Sequence, residues 1–119
     1  MSSITSEHGK AAEGYVATAL ERRGYKILAR NYTKPYGEID VIALKGDTIA
    51  FVEVKARTSV AVDPATLITP SKQHKIGLVA KEFIARHELM DKICRFDVAL
   101  LEKKHDGYTL TYIPNAFGV

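Results

Sequence analysis

The stretch that decides the fold is residues 37–55, which read GEIDVIAL (37–44), KGD (45–47) and TIAFVEVK (48–55). The two flanking runs are rich in apolar and β-branched residues, which is typical of strands. A two-residue Gly46-Asp47 loop between them suits the tight turn of an antiparallel hairpin. The sequence therefore predicts two paired strands in the middle of a sheet.

Counting back from this turn places acidic side chains opposite each other. If Lys45 faces Thr48, then Asp40 lies directly opposite Glu53, and directly opposed residues share a face with Cβ atoms about 5 Å apart. Lys55, two residues beyond Glu53, lies on that face too. Because opposed carboxylates repel, they call for a cation, and a divalent metal beside a lysine can hydrolyse a phosphodiester. We therefore expect Asp40, Glu53 and Lys55 to form a catalytic group.

The alternative for these three residues is an ion pair of Lys55 with one of the two acids at a sheet edge. Residues 41–44 and 49–52 are apolar without alternation, which favours strands covered on both faces. Charges in such a sheet are costly unless they are paired or bound to metal. A buried ion pair rarely stabilises a fold on balance, which favours the metal.

Three motifs, taken in order, resemble the bacterial YraN family: GEID (37–40), FVEVK (51–55) and RFDV (95–98). That family is described as predicted endonucleases akin to Holliday junction resolvases, within the PD-(D/E)XK nuclease superfamily. The resemblance runs from about Gly9 to Val98. It implies a restriction-endonuclease-like core, structured or branched DNA as substrate, and a homodimer for paired cuts. A proline often precedes the first acid in the superfamily, and Ile39 stands there in this chain.

The remaining chain reads as an α/β domain with the order αβββαββ, spanning residues 1–119 as a single nuclease-like unit. A helix between the third and fourth strands makes those two strands parallel, so a mixed central sheet flanked by helices is expected. The predicted elements are a helix over 6–23, strands over 25–32, 37–44 and 48–55, a helix starting at 69–71, strands over 95–101 and 108–113, and a tail from Pro114.

The metal ligands follow from the chemistry of phosphodiester hydrolysis. Asp40, Glu53 and the backbone carbonyl of Val54 would hold Mg²⁺ or Mn²⁺, since Mg²⁺ prefers hard oxygen ligands. Glu13 lies at the edge of the apolar stripe of the first helix. It is either an exposed helical glutamate or a carboxylate aimed at the metal, and the resolvase resemblance implies the second role.

Candidate nucleic-acid contacts lie around the second helix. Thr69 is a plausible N-cap, so Lys72 and Gln73 fall in the first turn, where backbone N–H groups and the helix dipole attract phosphate. Lys72 has the alternative of a solvated surface lysine. Arg57 begins the connection to Thr69, which is either a plain crossover or a loop that folds over a bound strand.

Composition limits the class of protein. The chain has 119 residues, a net charge of +3 and one cysteine, Cys94, which is expected to be a small buried residue without a disulfide. No apolar run approaches the roughly 20 residues of a membrane span, and no secretory signal is evident, so a cytoplasmic protein is expected.

Asp97 either orients Arg95 structurally or assists the site. Two other function classes stay open: a non-catalytic nucleic-acid-binding module on a nuclease scaffold, and a structural or partner-binding protein.

Overall fold

A five-stranded mixed sheet lies between two helices, in the predicted order αβββαββ. A computed structural model describes residues 7–57 and 68–118, and the side chains of residues 9–56 and 68–118. The elements are α1 (Glu7–Arg22), β1 (Lys26–Lys34), β2 (Gly37–Lys45), β3 (Thr48–Arg57), α2 (Pro70–Arg86), β4 (Ile93–Lys104) and β5 (Gly107–Phe117). The strand order across the sheet is β1-β2-β3-β4-β5. The pair β3–β4 is parallel as predicted, and the other neighbours are antiparallel.

The β2–β3 hairpin has the predicted turn and register. Lys45 pairs with Thr48, and the ladder continues to Val41 opposite Val52. Gly46 has a φ of 60°, a left-handed conformation that glycine adopts without strain. One further step of the same register places Asp40 opposite Glu53.

The sheet is covered on both faces, which explains the unbroken apolar runs of β2 and β3. One core cluster combines Phe51 and Ile42 with residues of α2, including Val79 and Phe83. The other cluster lies on the opposite face, where α1 packs against small and β-branched side chains: Ala12, Val16, Leu20, Val41, Ala43, Ala50 and Val52.

The start of α2 is fixed against the start of β2. Thr69 is the N-cap, as predicted, and its side chain accepts a hydrogen bond from the backbone N–H of Lys72. A Cβ atom on Gly37 would lie 3.1 Å from Val79 Cγ2 and 3.3 Å from Lys75 Cβ. The absent side chain of Gly37 therefore lets α2 approach β2 closely, which brings the first turn of α2 over the end of the hairpin.

The predicted tail from Pro114 is wrong, because β5 continues to Phe117. The Phe117 ring stacks on Phe96 with centroids 5.4 Å apart, and the Asn115 N–H donates to Asp97 at 2.8 Å. Proline lacks an N–H and suggested a strand end. Since β5 is an edge strand of the sheet, Pro114 is tolerated there.

Three smaller expectations are also corrected. β1 runs on to Lys34, which pairs with Gly37, so the turn that follows it is shorter than the predicted one. Tyr15, which its helical spacing from Ala12 and Ala19 predicts to be buried, is 40% exposed and packs on the Tyr108 ring. Cys94 is exposed rather than buried. Among the described residues, no helix is long and apolar enough to cross a membrane.

Asp97 has the structural role, as the centre of a buried polar network. Its carboxylate, fully buried, accepts two hydrogen bonds from Arg95 Nε at 2.9 and 3.2 Å and one from Arg95 Nη2 at 2.9 Å. Tyr112 donates to it at 2.5 Å. Arg95 also donates to the Tyr25 hydroxyl at 2.7 Å, so the network joins β4 and β5 to the residue that precedes β1.

Candidate metal centre

The candidate site lies where β2 and β3 part. Their ladder ends at the pair Val41–Val52. Before Val41, β2 pairs only with β1, and after Val52, β3 pairs only with β4. Asp40 bridges the gap, because its Oδ2 accepts a hydrogen bond from the Val54 N–H at 2.8 Å. We call this place the fork. Acidic side chains of both strands lie at the fork.

Glu53, at the fork on β3, is held by a lysine of α2. Lys72 Nζ lies 2.5 Å from Glu53 Oε2, and the Glu53 side chain is only 6% exposed. Burial lowers the pKa of the Lys72 ammonium, but the charge and hydrogen bond of Glu53, together with the charges of Asp40 and Glu38, raise it more. The ammonium thus neutralises one of the carboxylates of the fork.

Asp40 also belongs to a group of three carboxylates. Glu13, Glu38 and Asp40 each offer one oxygen, and these oxygens lie within 4.8 Å of one another. Glu13 comes from α1, while Glu38 and Asp40 are alternate residues of β2. Such a group of hard oxygen atoms is chemically suited to Mg²⁺ or Mn²⁺.

Glu13 is the most unusual member of this group. It is 1% exposed, and neither of its carboxylate oxygens has a hydrogen-bond partner among the described residues. Burial raises the pKa of Glu13, while the Asn31 side-chain amide, which approaches the carboxylate without reaching hydrogen-bond geometry, and the charge of Arg30 oppose the rise. Of the two sequence interpretations, the geometry therefore favours the carboxylate that points into the site over the exposed helical glutamate.

Asp40, like Glu13, has a raised pKa. The pKa of Asp40 is raised to about 8, mainly by burial and then by the charge of Glu53, against the opposing effect of the hydrogen bond from Val54. A carboxylate that is costly to ionise without a cation gains most from binding one.

The other two sequence-predicted members of the centre lie on β3. The N–H and C=O of one strand residue point to the same side, so the Val54 carbonyl faces β2 like the N–H that binds Asp40. Lys55 is half-buried and lies on the same side of β3 as Glu53 by strand alternation. Its ammonium has no ion pair or hydrogen bond with the described residues, and Lys55 is not among the residues that line the groove described below.

Of the three predicted nucleic-acid contacts, the structure describes the side chains of Lys72 and Gln73. Gln73 donates to the Ile68 carbonyl at 2.9 Å, so its amide anchors the chain entering α2. Thr69 already accepts from the N–H groups of Lys72 and Gln73, which leaves Ser71 as the only one of the first four helical residues whose N–H lacks a described partner. The charge at this helix end therefore comes mainly from the Lys72 side chain. The Arg57 side chain and residues 58–67 lie outside the described residues.

An open groove of about 860 Å³ leads to the fork, between the β1–β2 turn and the start of α2. Glu38, Asp40 and Glu53 line it from the strands, and Lys72 and Lys75 line it from α2. This groove brings the acids and the lysines of α2 to one surface.

Glu38 is a site residue that the sequence interpretation missed. It appeared only as a letter of the GEID motif, although its spacing of two from Asp40 places both side chains on the same face of β2. That spacing could have identified Glu38 as a neighbour of Asp40. Its place in an acidic group also depends on Glu13, which approaches from α1 only in the folded chain.

In EDTA, we expect the free energy of unfolding to fall as the pH rises from about 4 to about 8. The folded chain holds a proton on Asp40 up to about pH 8, whereas the unfolded chain releases it near pH 4. The stabilising contribution is complete below about pH 4 and is lost as the pH rises through about 8, at no more than about 1.4 kcal/mol per pH unit for one proton. Urea unfolding at several pH values measures the slope.

Asp40→Asn is the variant that isolates this effect, because the amide oxygen can still accept from the Val54 N–H but carries no titrating proton. Its stability should depend less on pH, and at pH 8 without metal it should exceed the wild type. Asp106→Asn, in the exposed β4–β5 turn, is the matched control. Equal slopes for wild type and Asp40→Asn would contradict the raised pKa.

Comparison with known proteins places the chain in a family. Residues 12–101 match the model of "Uncharacterised protein family UPF0102". The chain belongs to the UPF0102 family. This is the YraN group that the three motifs resemble, and the matched residues include every member of the fork named above.

Individual UPF0102 proteins match over nearly the whole chain. A UPF0102 protein of Geobacter metallireducens is 42% identical over 110 residues, covering 92% of this chain and 90% of its own length. One of Dictyoglomus turgidum is 38% identical over 114 residues, with 93% and 97% coverage. One of Alkaliphilus metalliredigens is 41% identical over 114 residues, with 92% and 96% coverage.

Proposed function

We propose that the protein is a divalent-metal-dependent endonuclease that hydrolyses phosphodiester bonds, with structured or branched DNA as the expected substrate. The observation that carries the proposal is the fork, where four acidic side chains from α1, β2 and β3 meet beside a groove lined by lysines. The acids are suited to a metal ion and the lysines to a phosphate backbone.

The residues present fit a divalent ion, since Glu13 and Asp40 are buried acids that make no ion pair with any residue the structure describes. Asp40, Glu53, the Val54 carbonyl and Glu13 would hold Mg²⁺ or Mn²⁺. Such an ion lowers the pKa of a bound water and neutralises charge on the phosphate oxygens. The remaining chemistry falls to the side chains of the chain itself.

Lys55 would act at the reacting phosphate and Lys72 at a neighbouring one. Lys55, which has no acidic partner in the described residues, is available to orient the attacking water and to stabilise the negative charge of the transition state. Lys72 is paired with Glu53 and 44% exposed. If Glu53 were to bind a metal ion, the Lys72 ammonium would be available to a neighbouring phosphate in the groove.

One observation favours a second candidate, a non-catalytic nucleic-acid-binding module. The Lys72–Glu53 contact neutralises a carboxylate of the fork without any metal. In such a module the lysines of the groove would bind phosphate while the acids serve only the fold.

Glu53→Gln separates these two candidates. We expect this variant to lose metal-dependent cleavage by at least about a hundredfold, as for loss of a central electrostatic contact, and to keep its nucleic-acid affinity. Nicking of labelled DNA and gel shifts at several salt concentrations measure the two properties. Glu102→Gln, on β4 away from the groove, is the matched control.

Three results would decide between the function classes. Cleavage that is equal in wild type and Glu53→Gln would contradict the enzyme proposal. Binding with a steep salt dependence but no cleavage by either protein would favour the module. Absence of salt-dependent binding to DNA or RNA would favour a structural or partner-binding protein, because phosphate contacts release counterions.

A further inference from the structure

An exposed tyrosine lines the groove that leads to the fork. Tyr36 is 41% exposed, and among the described residues its ring stacks on no other ring and its hydroxyl has no hydrogen-bond partner. Tyr15 is exposed to the same degree, but it lies outside this groove and packs on the Tyr108 ring. Tyr36 therefore presents an aromatic surface to the groove that no described residue covers.

The turn that carries Tyr36 is held firmly. Lys34 pairs with Gly37, so Pro35 and Tyr36 form the two-residue turn between β1 and β2. Pro35 fixes its own φ, and Gly37 lies so close to α2 that an added Cβ would be 3.3 Å from Lys75 Cβ. Because the turn is already fixed beside α2, a ligand that binds the Tyr36 ring has little backbone to order.

The α2 helix adds apolar surface and positive charge to the same groove. Leu78 is 38% exposed and lines the groove together with Tyr36. Lys72 and Lys75 line it too, and Lys75 makes no ion pair with the part of the chain that the structure describes. A nucleic-acid strand matches this combination, since its bases have apolar aromatic faces and its phosphates are negative.

Tyr36 lies near the fork but not in it. It precedes Asp40 by four residues, which is about 13 Å of extended strand. A strand with its scissile phosphate at the fork would therefore meet Tyr36 with a neighbouring nucleotide. Inside a duplex the faces of a base are covered by its neighbours, so this nucleotide can stack on the ring only when it is unpaired and turned out of the duplex.

We propose that Tyr36 and Leu78 form a platform for one unpaired nucleobase beside the fork, so that the protein acts on nucleic acid with an unpaired nucleotide close to the bond that is cut. This inference rests on the proposed function for the identity of the strand. The lysines of α2 hold phosphates, and the platform selects strands whose bases are accessible. A gap, a flap or a branch point exposes such a base, whereas a continuous duplex does not.

The test uses the absence of tryptophan from the chain, because Tyr36→Trp then places a single fluorescent reporter in the groove. A nucleobase that stacks on the indole quenches its fluorescence. In EDTA, which prevents metal-dependent cleavage, we expect a single-stranded DNA oligonucleotide to quench Tyr36→Trp. A closed duplex without free ends, and an abasic strand with the same number of phosphates, should quench it little. Tyr15→Trp, at an equally exposed position outside the groove, is the matched control and should not respond.

Affinity measurements check the same contact without a reporter. Tyr36→Ala should weaken binding of the single strand by about tenfold, whereas Tyr36→Phe, which keeps the ring, should bind like the wild type. Neither change should alter the salt dependence, because no phosphate contact is lost. Lys75→Ala should instead flatten the salt dependence by about one phosphate contact. Fluorescence anisotropy at several salt concentrations measures both properties.

The outcomes separate this inference from the proposed function. Equal quenching of Tyr36→Trp by abasic and base-containing strands, or unchanged affinity of Tyr36→Ala, would overturn the platform. Equal quenching by the closed duplex and the single strand would overturn the requirement for an unpaired base. If the platform fails while the wild type still shows metal-dependent cleavage that Glu53→Gln lacks, the endonuclease proposal stands. If the strand quenches Tyr36→Trp but the wild type cleaves nothing with Mg²⁺ or Mn²⁺, the platform stands and the endonuclease proposal fails.

Discussion

Lys55→Ala is expected to abolish cleavage while leaving most of the affinity for nucleic acid. Lys55 is placed beside Glu53 on β3 and has no acidic partner in the described residues, so in the proposed site its charge acts on the reacting phosphate. A contact made only in the transition state contributes to the rate and not to ground-state binding. Loss of one such contact costs about 10²–10³ in rate. Single-turnover cleavage and gel shifts on the same substrate measure the two quantities.

Lys72→Ala is the variant to compare with Lys55→Ala, because Lys72 lines the groove whereas Lys55 lies on β3. We expect weaker binding to every substrate and a salt dependence that is flatter by about one phosphate contact. Cleavage at saturating substrate should survive this change better than it survives Lys55→Ala. Lys81→Ala, at an exposed position of α2, is the control for charge. If Lys55→Ala cuts as well as the wild type, Lys55 is structural and the nuclease proposal loses its central residue.

Asp97→Ala is expected to cause the largest loss of stability. Its fully buried carboxylate accepts hydrogen bonds from Arg95, Tyr112 and the Asn115 backbone. Removal leaves the Arg95 guanidinium, which is 26% exposed, without its counter-ion. Breaking a buried ion pair in this way costs about 3–5 kcal/mol, a large share of the 5–15 kcal/mol that stabilise a typical domain.

Urea unfolding at pH 7 measures this loss as a lower midpoint with an unchanged slope. Asp97→Asn should lose less, since an amide oxygen still accepts from Tyr112 and Asn115. Asp106→Ala, in the exposed β4–β5 turn, should be close to wild type. If Asp97→Ala unfolds at the wild-type midpoint, the network does not stabilise β5 as its contacts indicate.

The hairpin could be predicted from sequence because two local signals agreed. The Gly46-Asp47 loop fixes the register, and the apolar runs on either side require strands covered on both faces. Together they placed Asp40 one step from the end of a ladder, opposite Glu53, before any tertiary information. The parallel β3–β4 pair likewise followed from the helix between the two strands.

The features that were missed depend on contacts between distant parts of the chain. Pro114 looked like a strand end until the Phe117 ring was seen against Phe96. Glu38 had no assigned role in the sequence interpretation, because its grouping with Glu13 depends on how α1 packs on the sheet. Lys72 was expected to bind phosphate at the start of α2, but its direct contact with Glu53 depends on the close packing of α2 on Gly37.

Cleavage of a substrate panel by the wild type tests the central claim most directly. Labelled four-way junction, duplex and single-stranded substrates, as DNA and as RNA, would be incubated with the full chain in Mg²⁺, in Mn²⁺ and in EDTA, with Asp40→Asn in parallel. We predict cleavage by the wild type that requires the metal, is strongest on branched DNA, and is absent in Asp40→Asn. Intact substrates across the whole panel with either metal, or cleavage that persists in Asp40→Asn, would contradict the account.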